Sequence, residues 1–165
     1  MADSYARIVL HTTFSVKYRN PHITPQIEGT VKAQLSHHLQ RLGARVLALE
    51  CVPDHVHIVH TLPRTVAVAT LLNEIKKWSS RVVNRDYDLD YHFKWQTGYA
   101  TFSADYRNLE RLIQYVRNQK QHHGYVESDT ATLTFVEEYS RQLLAYGFEI
   151  HPYYTFPVAP LDDAA

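Results

Sequence analysis

Cysteine is almost missing from this 165-residue chain, where Cys51 stands alone. A lone thiol excludes an internal disulfide and suits a reducing compartment. In LALECVPDH it closes an apolar strand. Long apolar runs are missing too. No stretch approaches the roughly 20 residues that a bilayer requires, and no basic-then-apolar signal pattern opens the sequence. The expectation is a cytoplasmic protein with no membrane partner. Repeats, low-complexity stretches and linkers are absent, and the length suits one domain with a sizeable core. Net charge is absent as well, with 17 Lys and Arg against 17 Asp and Glu, but the balance hides an asymmetry. Residues 1–126 hold 16 of the basic residues and 10 of the acids, whereas residues 127–165 hold Arg141 alone against seven acids. A basic body with an acidic tail fits a polyanionic ligand.

What is present reads as alternating elements. YARIVLHTTFSV is a first strand. Thr24-Pro25 is an N-cap followed by proline at the first helical position, predicting a helix to about Arg41, with Gly43 just past its end. RVLALECV and HVHIVHTL form a hairpin around Pro53-Asp54. VATLLNEIKKWSSRVVN is a second long helix, with Leu71, Leu72, Ile75, Trp78 and Val82 on its apolar side. YATFSA is a fourth strand. Asp105 caps a third helix through about His122, Gly124 ends it, and a last helix runs from about Leu133 to Tyr146. The order predicts an α+β fold, a ferredoxin-like (RRM-like) βαββαβ antiparallel sheet with helices on one face and extra C-terminal helices. Residues 127–165 form an acidic helix and tail packed on the domain of residues 1–126.

That plan hosts many functions, so the site must decide. His55 and His57 are two apart on a strand, so both imidazoles leave one face while Val56 and Ile58 point into the core. Paired neutral imidazoles suit a divalent metal. His60 sits at an odd offset and faces the other way. On the third helix Leu109, Leu112, Ile113 and Val116 form the apolar stripe. Tyr115 and Gln119, four apart, share one flank of it, and His122 continues the line as a possible accessory. A phenol with a pKa near 10 needs a metal to make it an effective nucleophile against phosphate. Gln119 offers a neutral oxygen one turn away. Lys17, Arg19, Lys76, Lys77, Arg81 and Arg85 are available for phosphates, and Tyr18, Trp78, Phe93, Trp95 and Tyr99 for stacking on unpaired bases.

PDHVHIVHTLP and YVRNQKQHH resemble the His-hydrophobe-His segment and the nucleophile helix of the HUH-type single-tyrosine transposases. These are the small enzymes of single-strand insertion sequences and include the REP-associated tyrosine transposases. FSVKYRNPHIT, LLNEIKKWSSRVVN and FKWQTGYATFS support the likeness, which covers roughly residues 5–125. The resemblance implies that residues 1–126 are a transposase domain that binds single-strand DNA hairpins. It implies cleavage with Mg²⁺ or Mn²⁺, leaving a 5′-phosphotyrosine and a free 3′ hydroxyl, with later rejoining and no nucleotide cofactor. Carried over by position, Tyr115 is the nucleophile, and His55, His57 and Gln119 are metal ligands. It implies a homodimer with shared sites, associated with the nucleoid when bound to DNA. A domesticated or non-catalytic hairpin-binding relative of the same fold is the alternative.

Overall fold

The computed structural model describes residues 5–126, 132–151 and 155–157. Its sheet contains β1 (Val9–Ser15), β2 (Val46–Val52), β3 (His55–Thr61) and β4 (Ala100–Ser103) in the order β2-β3-β1-β4, antiparallel at every junction. With α1 (Pro25–Arg41) after β1 and α2 (Val68–Asp86) after β3, this is the expected ferredoxin-like plan. Pro25 starts α1 as predicted, but the Thr24 side chain makes no capping bond. The fixed proline φ, with no N–H to satisfy, initiates the helix on its own. Gly43 takes φ +86° beyond the end of α1, a conformation that a Cβ disfavours.

Strand alternation divides the core between two faces. Phe14, Val16, Cys51, Val56 and Ile58 pack against Ile27, Val31 and Leu35 of α1 and Leu71, Leu72 and Ile75 of α2. The opposite face carries Val9, Ala48 and Val59. A register shift between Val46 and Ala48 interrupts the alternation, so Leu47 and Ala48 both join this second cluster. Over it lies α3 (Leu109–Arg117), which buries Val116 and packs Leu109, Leu112 and Ile113 against the cluster.

The third helix is not continuous. A 3₁₀ turn at Tyr106–Asn108 precedes α3, with Asp105 capping the Arg107 N–H, and α4 (Gln119–His122) follows a break at Asn118. Asn118 has φ −95° and ψ 17°, outside the helical well, and Gln119 beyond it is fully buried. The last helix, α5 (Phe135–Ala145), is closed by a capping box between Thr134 and Glu137. It is pinned by Tyr146, which stacks on Phe102 of β4 at 4.2 Å and donates to the Ser103 carbonyl. Asp162 and Asp163 of the acidic tail lie outside the described residues. No helix among those described is long and apolar enough to cross a membrane.

Candidate metal centre and nucleophile

His55 and His57 do share a face of β3, and it is a covered one, each side chain being 1% exposed. The cross-strand partners of β3 bring His11 and Thr13 to the same face. His11 Nε2 lies 2.9 Å from His57 Nδ1, and the two rings stack. His55 Nδ1 donates to Asp54 of the hairpin turn at 2.7 Å, which fixes the ring and aims its Nε2 inward. His60 faces the other way as expected, accepting from the Thr12 hydroxyl and donating to the Thr61 carbonyl.

Two groups missed by the sequence reading complete the cluster. Ligand atoms of His55, His57, His123 and Glu138 all lie within 4.8 Å of one another, a group that could hold a metal ion. Glu138 reaches it from α5, its Oε2 3.2 Å from His57 Nε2, 3.0 Å from His123 Nε2 and 3.7 Å from His55 Nε2. Gln119 Nε2 donates to Glu138 Oε1 at 3.2 Å. The buried His55 Nε2 and Gln119 Oε1 are left with no hydrogen-bond partner. Lone pairs that converge while buried are the arrangement a divalent cation satisfies.

The charges follow from burial and these partners. Burial, then the neighbouring His57, pushes His11 down to about 3. Burial likewise lowers His57, outweighing the pull of Glu138. Burial, then His55, takes His123 down to about 4. For His55 burial is outweighed by the bond to Asp54 and the neighbouring Glu138 carboxylate, which raise it. Burial also opposes ionisation of Glu138, yet the neighbouring His55 and His57 imidazoles win and hold it at about 2. The carboxylate is therefore charged among imidazoles that are largely neutral.

Tyr115 meets this cluster within its own chain, its ring 6.1 Å from that of His57 and 6.2 Å from that of His11. His122 packs edge-on against it at 5.3 Å. Gln142 of α5 donates to the Tyr115 hydroxyl at 3.3 Å. Other tyrosines are committed elsewhere: Tyr87 bonds Thr30, Tyr91 donates to the His22 carbonyl, and Tyr106 is 71% exposed under Arg7. α3 packs over its own β2 and β3, so Tyr115 reaches the histidine pair of its own chain.

The residues expected on DNA divide. Lys77 and Arg81 are exposed on α2 with cationic groups 5.5 and 5.2 Å from the Trp78 ring. Lys17 lies 4.5 Å from the Tyr18 ring, and Tyr18 and Arg19 both hold positive φ, of 57° and 59°, in a strained turn braced by Gln96. Two residues are corrections. Lys76 is buried, donates to the Gln96 and Gly98 carbonyls at 2.9 and 2.7 Å, and burial lowers it to about 8. Trp95 is 9% exposed, packed edge-on against Phe14 and Phe93, with its indole N–H on Ser79. Phe93 is likewise core. Trp95→Ala should cost about 3–5 kcal/mol in denaturant unfolding, whereas Arg81→Ala should cost under about 1 kcal/mol and act on DNA affinity instead.

The family model described as "Transposase IS200 like" matches residues 4–119. The chain belongs to this family. Transposases for insertion sequence element IS200 from Salmonella typhimurium strain LT2 and from Salmonella typhi are each 24% identical to it over 114 residues, covering 66% of this chain and 74% of theirs. Solved structures share the fold. A REP-associated tyrosine transposase bound to a REP hairpin superposes with a TM-score of 0.60 at 18% identity, covering 87% of this chain and 86% of that one. A candidate transposase from Deinococcus radiodurans R1 superposes at 0.57 with 19% identity, covering 72% and 96%. The family match ends at Gln119, so His123, Glu138 and Gln142 lie beyond it.

Proposed function

We propose that this chain is a single-strand DNA transposase or nuclease acting at DNA hairpins, with Tyr115 as nucleophile and Mg²⁺ or Mn²⁺ held by His55, His57 and Gln119. The observation that carries this reading is the meeting of one tyrosine with a buried histidine pair in a chain of this family. The hairpin bound to the REP-associated relative supports the choice of substrate.

In the proposed reaction the Tyr115 hydroxyl oxygen bonds to the scissile phosphorus and loses its proton, and the bond from phosphorus to the 3′ oxygen breaks. The 3′ oxygen leaves as a hydroxyl after taking up a proton. Attack by a 3′ hydroxyl reverses these steps and rejoins strands, the phosphotyrosine having kept the energy of the phosphodiester. A bound divalent ion would supply Lewis-acid stabilisation of the phosphate and the departing oxygen, worth several kcal/mol. Gln142 donates to the phenolic oxygen, which favours the charge that oxygen carries once it has lost its proton, ahead of attack. Asp54 and His11 keep the two imidazoles oriented with Nε2 inward.

Strand polarity is the test. A hairpin oligonucleotide labelled on either side of the cut, incubated with Mn²⁺ and denatured, should leave only the 3′-side label on the protein. The 5′-side fragment should end in a hydroxyl that a polymerase can extend. Retention of the 5′-side label, or two free fragments without an adduct, overturns the reading.

A further inference from the structure

We propose that His123 and Glu138, both outside the family-matched segment, add a third imidazole and a carboxylate to the His55, His57 and Gln119 set, giving a metal site that selects Mn²⁺ over Mg²⁺. This rests on the metal reading above and extends it. Hydrogen bonding around the rings carries the argument. A carbonyl can only accept, so His123 Nδ1 donates to Leu133 O at 2.7 Å, and a neutral ring then has its lone pair on Nε2. That lone pair faces Glu138 Oε2 at 3.0 Å. His55 is held the same way by Asp54, its Nε2 aimed at the same oxygen. At His123, and at His55 whenever that ring is neutral, acceptor therefore faces acceptor inside a closed cluster, an arrangement that a cation joining the lone pairs relieves. Donor atoms sharing one ion at bonds of about 2.1 Å stand about 3 Å apart at right angles, close to the spacing of Glu138 from His57 and His123.

Gln119 Nε2 positions the carboxylate by donating to Glu138 Oε1, and α5 presents Glu138 where its neighbours Phe135, on the His55 ring at 4.4 Å, and Gln142, on Tyr115, fix the helix face. Three nitrogen donors set the preference. Mg²⁺ favours oxygen ligands and keeps its waters, whereas imidazole suits first-row transition ions.

The test is binding to the metal-free, full-length protein, with Mn²⁺ followed by loss of its free-ion paramagnetic resonance signal. Wild type should bind Mn²⁺ at least about tenfold more tightly than Mg²⁺, which should compete poorly. Glu138→Gln and His123→Gln should each weaken Mn²⁺ by roughly 10–100-fold. Pulsed resonance on the wild type should show three coupled imidazole nitrogens, a readout independent of whether any variant folds. Two nitrogens, equal competition by Mg²⁺, or unchanged Mn²⁺ affinity in folded variants overturns this proposal while leaving a His55–His57 metal site standing. Wild type that binds no Mn²⁺ at all, with His57→Ala no different, overturns both.

Discussion

Tyr115→Phe should abolish the covalent DNA adduct and reduce cleavage to background while leaving hairpin binding and the fold intact. The ring itself packs against His57, His11 and His122, and phenylalanine keeps those contacts. What disappears is the hydroxyl, with the one bond it accepts from Gln142, worth about 0.5–1.5 kcal/mol of stability. Among the described residues no other tyrosine is placed to substitute. Tyr139, on α5, is the nearest in chain to Glu138, and burial pushes its phenol up to about 12. Gel separation after denaturation reads the adduct, and an adduct in the Phe variant would remove Tyr115 from the role. Because α3 lies over its own strands, mixing Tyr115→Phe chains with His57→Ala chains should restore no cleavage. Recovered activity on mixing would show that two subunits build the site.

His57→Ala is expected to have the other large effect. Loss of several kcal/mol of Lewis-acid stabilisation corresponds to a fall in cleavage on the order of 10³-fold or more. EDTA should copy that fall in the wild type. Stability separates the two treatments. The substitution also deprives His11 Nε2 and Glu138 of a buried partner, which costs about 1–3 kcal/mol even in metal-free protein, whereas EDTA removes only the stabilisation that a bound ion supplies. Undiminished cleavage in EDTA would exclude the metal from the chemistry.

The parts of this site legible in the sequence were those set by local periodicity. Two-residue alternation put His55 and His57 on one face, and the i, i+3, i+4 stripe marked which side of the third helix met the sheet. His11 lies in the first strand, YARIVLHTTFSV, but only the antiparallel register with β3 makes it a partner of His57. Glu138 is 81 residues from His57 along the chain, and the last helix reads as acidic surface. The available clue was a carboxylate on the apolar side of that helix, three residues after Phe135. His122 was favoured over His123 because a continuous helix was assumed, and the break at Asn118 turns the later residues to a different angle. Lys76 was misjudged for a related reason. A basic or aromatic residue beside an apolar stripe can face solvent or snorkel under a neighbouring segment, and the fold chose the carbonyls of residues 96–98.

At eleven residues α5 is below the roughly 12–15 that let an isolated helix persist in water. It is helical because it is docked, and its docking points are Phe135 on His55, Glu138 among the imidazoles and Gln142 on the phenol. Helix content and site assembly are thus coupled by thermodynamic linkage. A ligand that binds only the assembled cluster stabilises α5 by RT ln(1 + [L]/Kd), about 2.7 kcal/mol at one hundred times its Kd. Amide exchange along residues 135–145 then becomes a gauge of occupancy at an imidazole pair some eighty residues upstream.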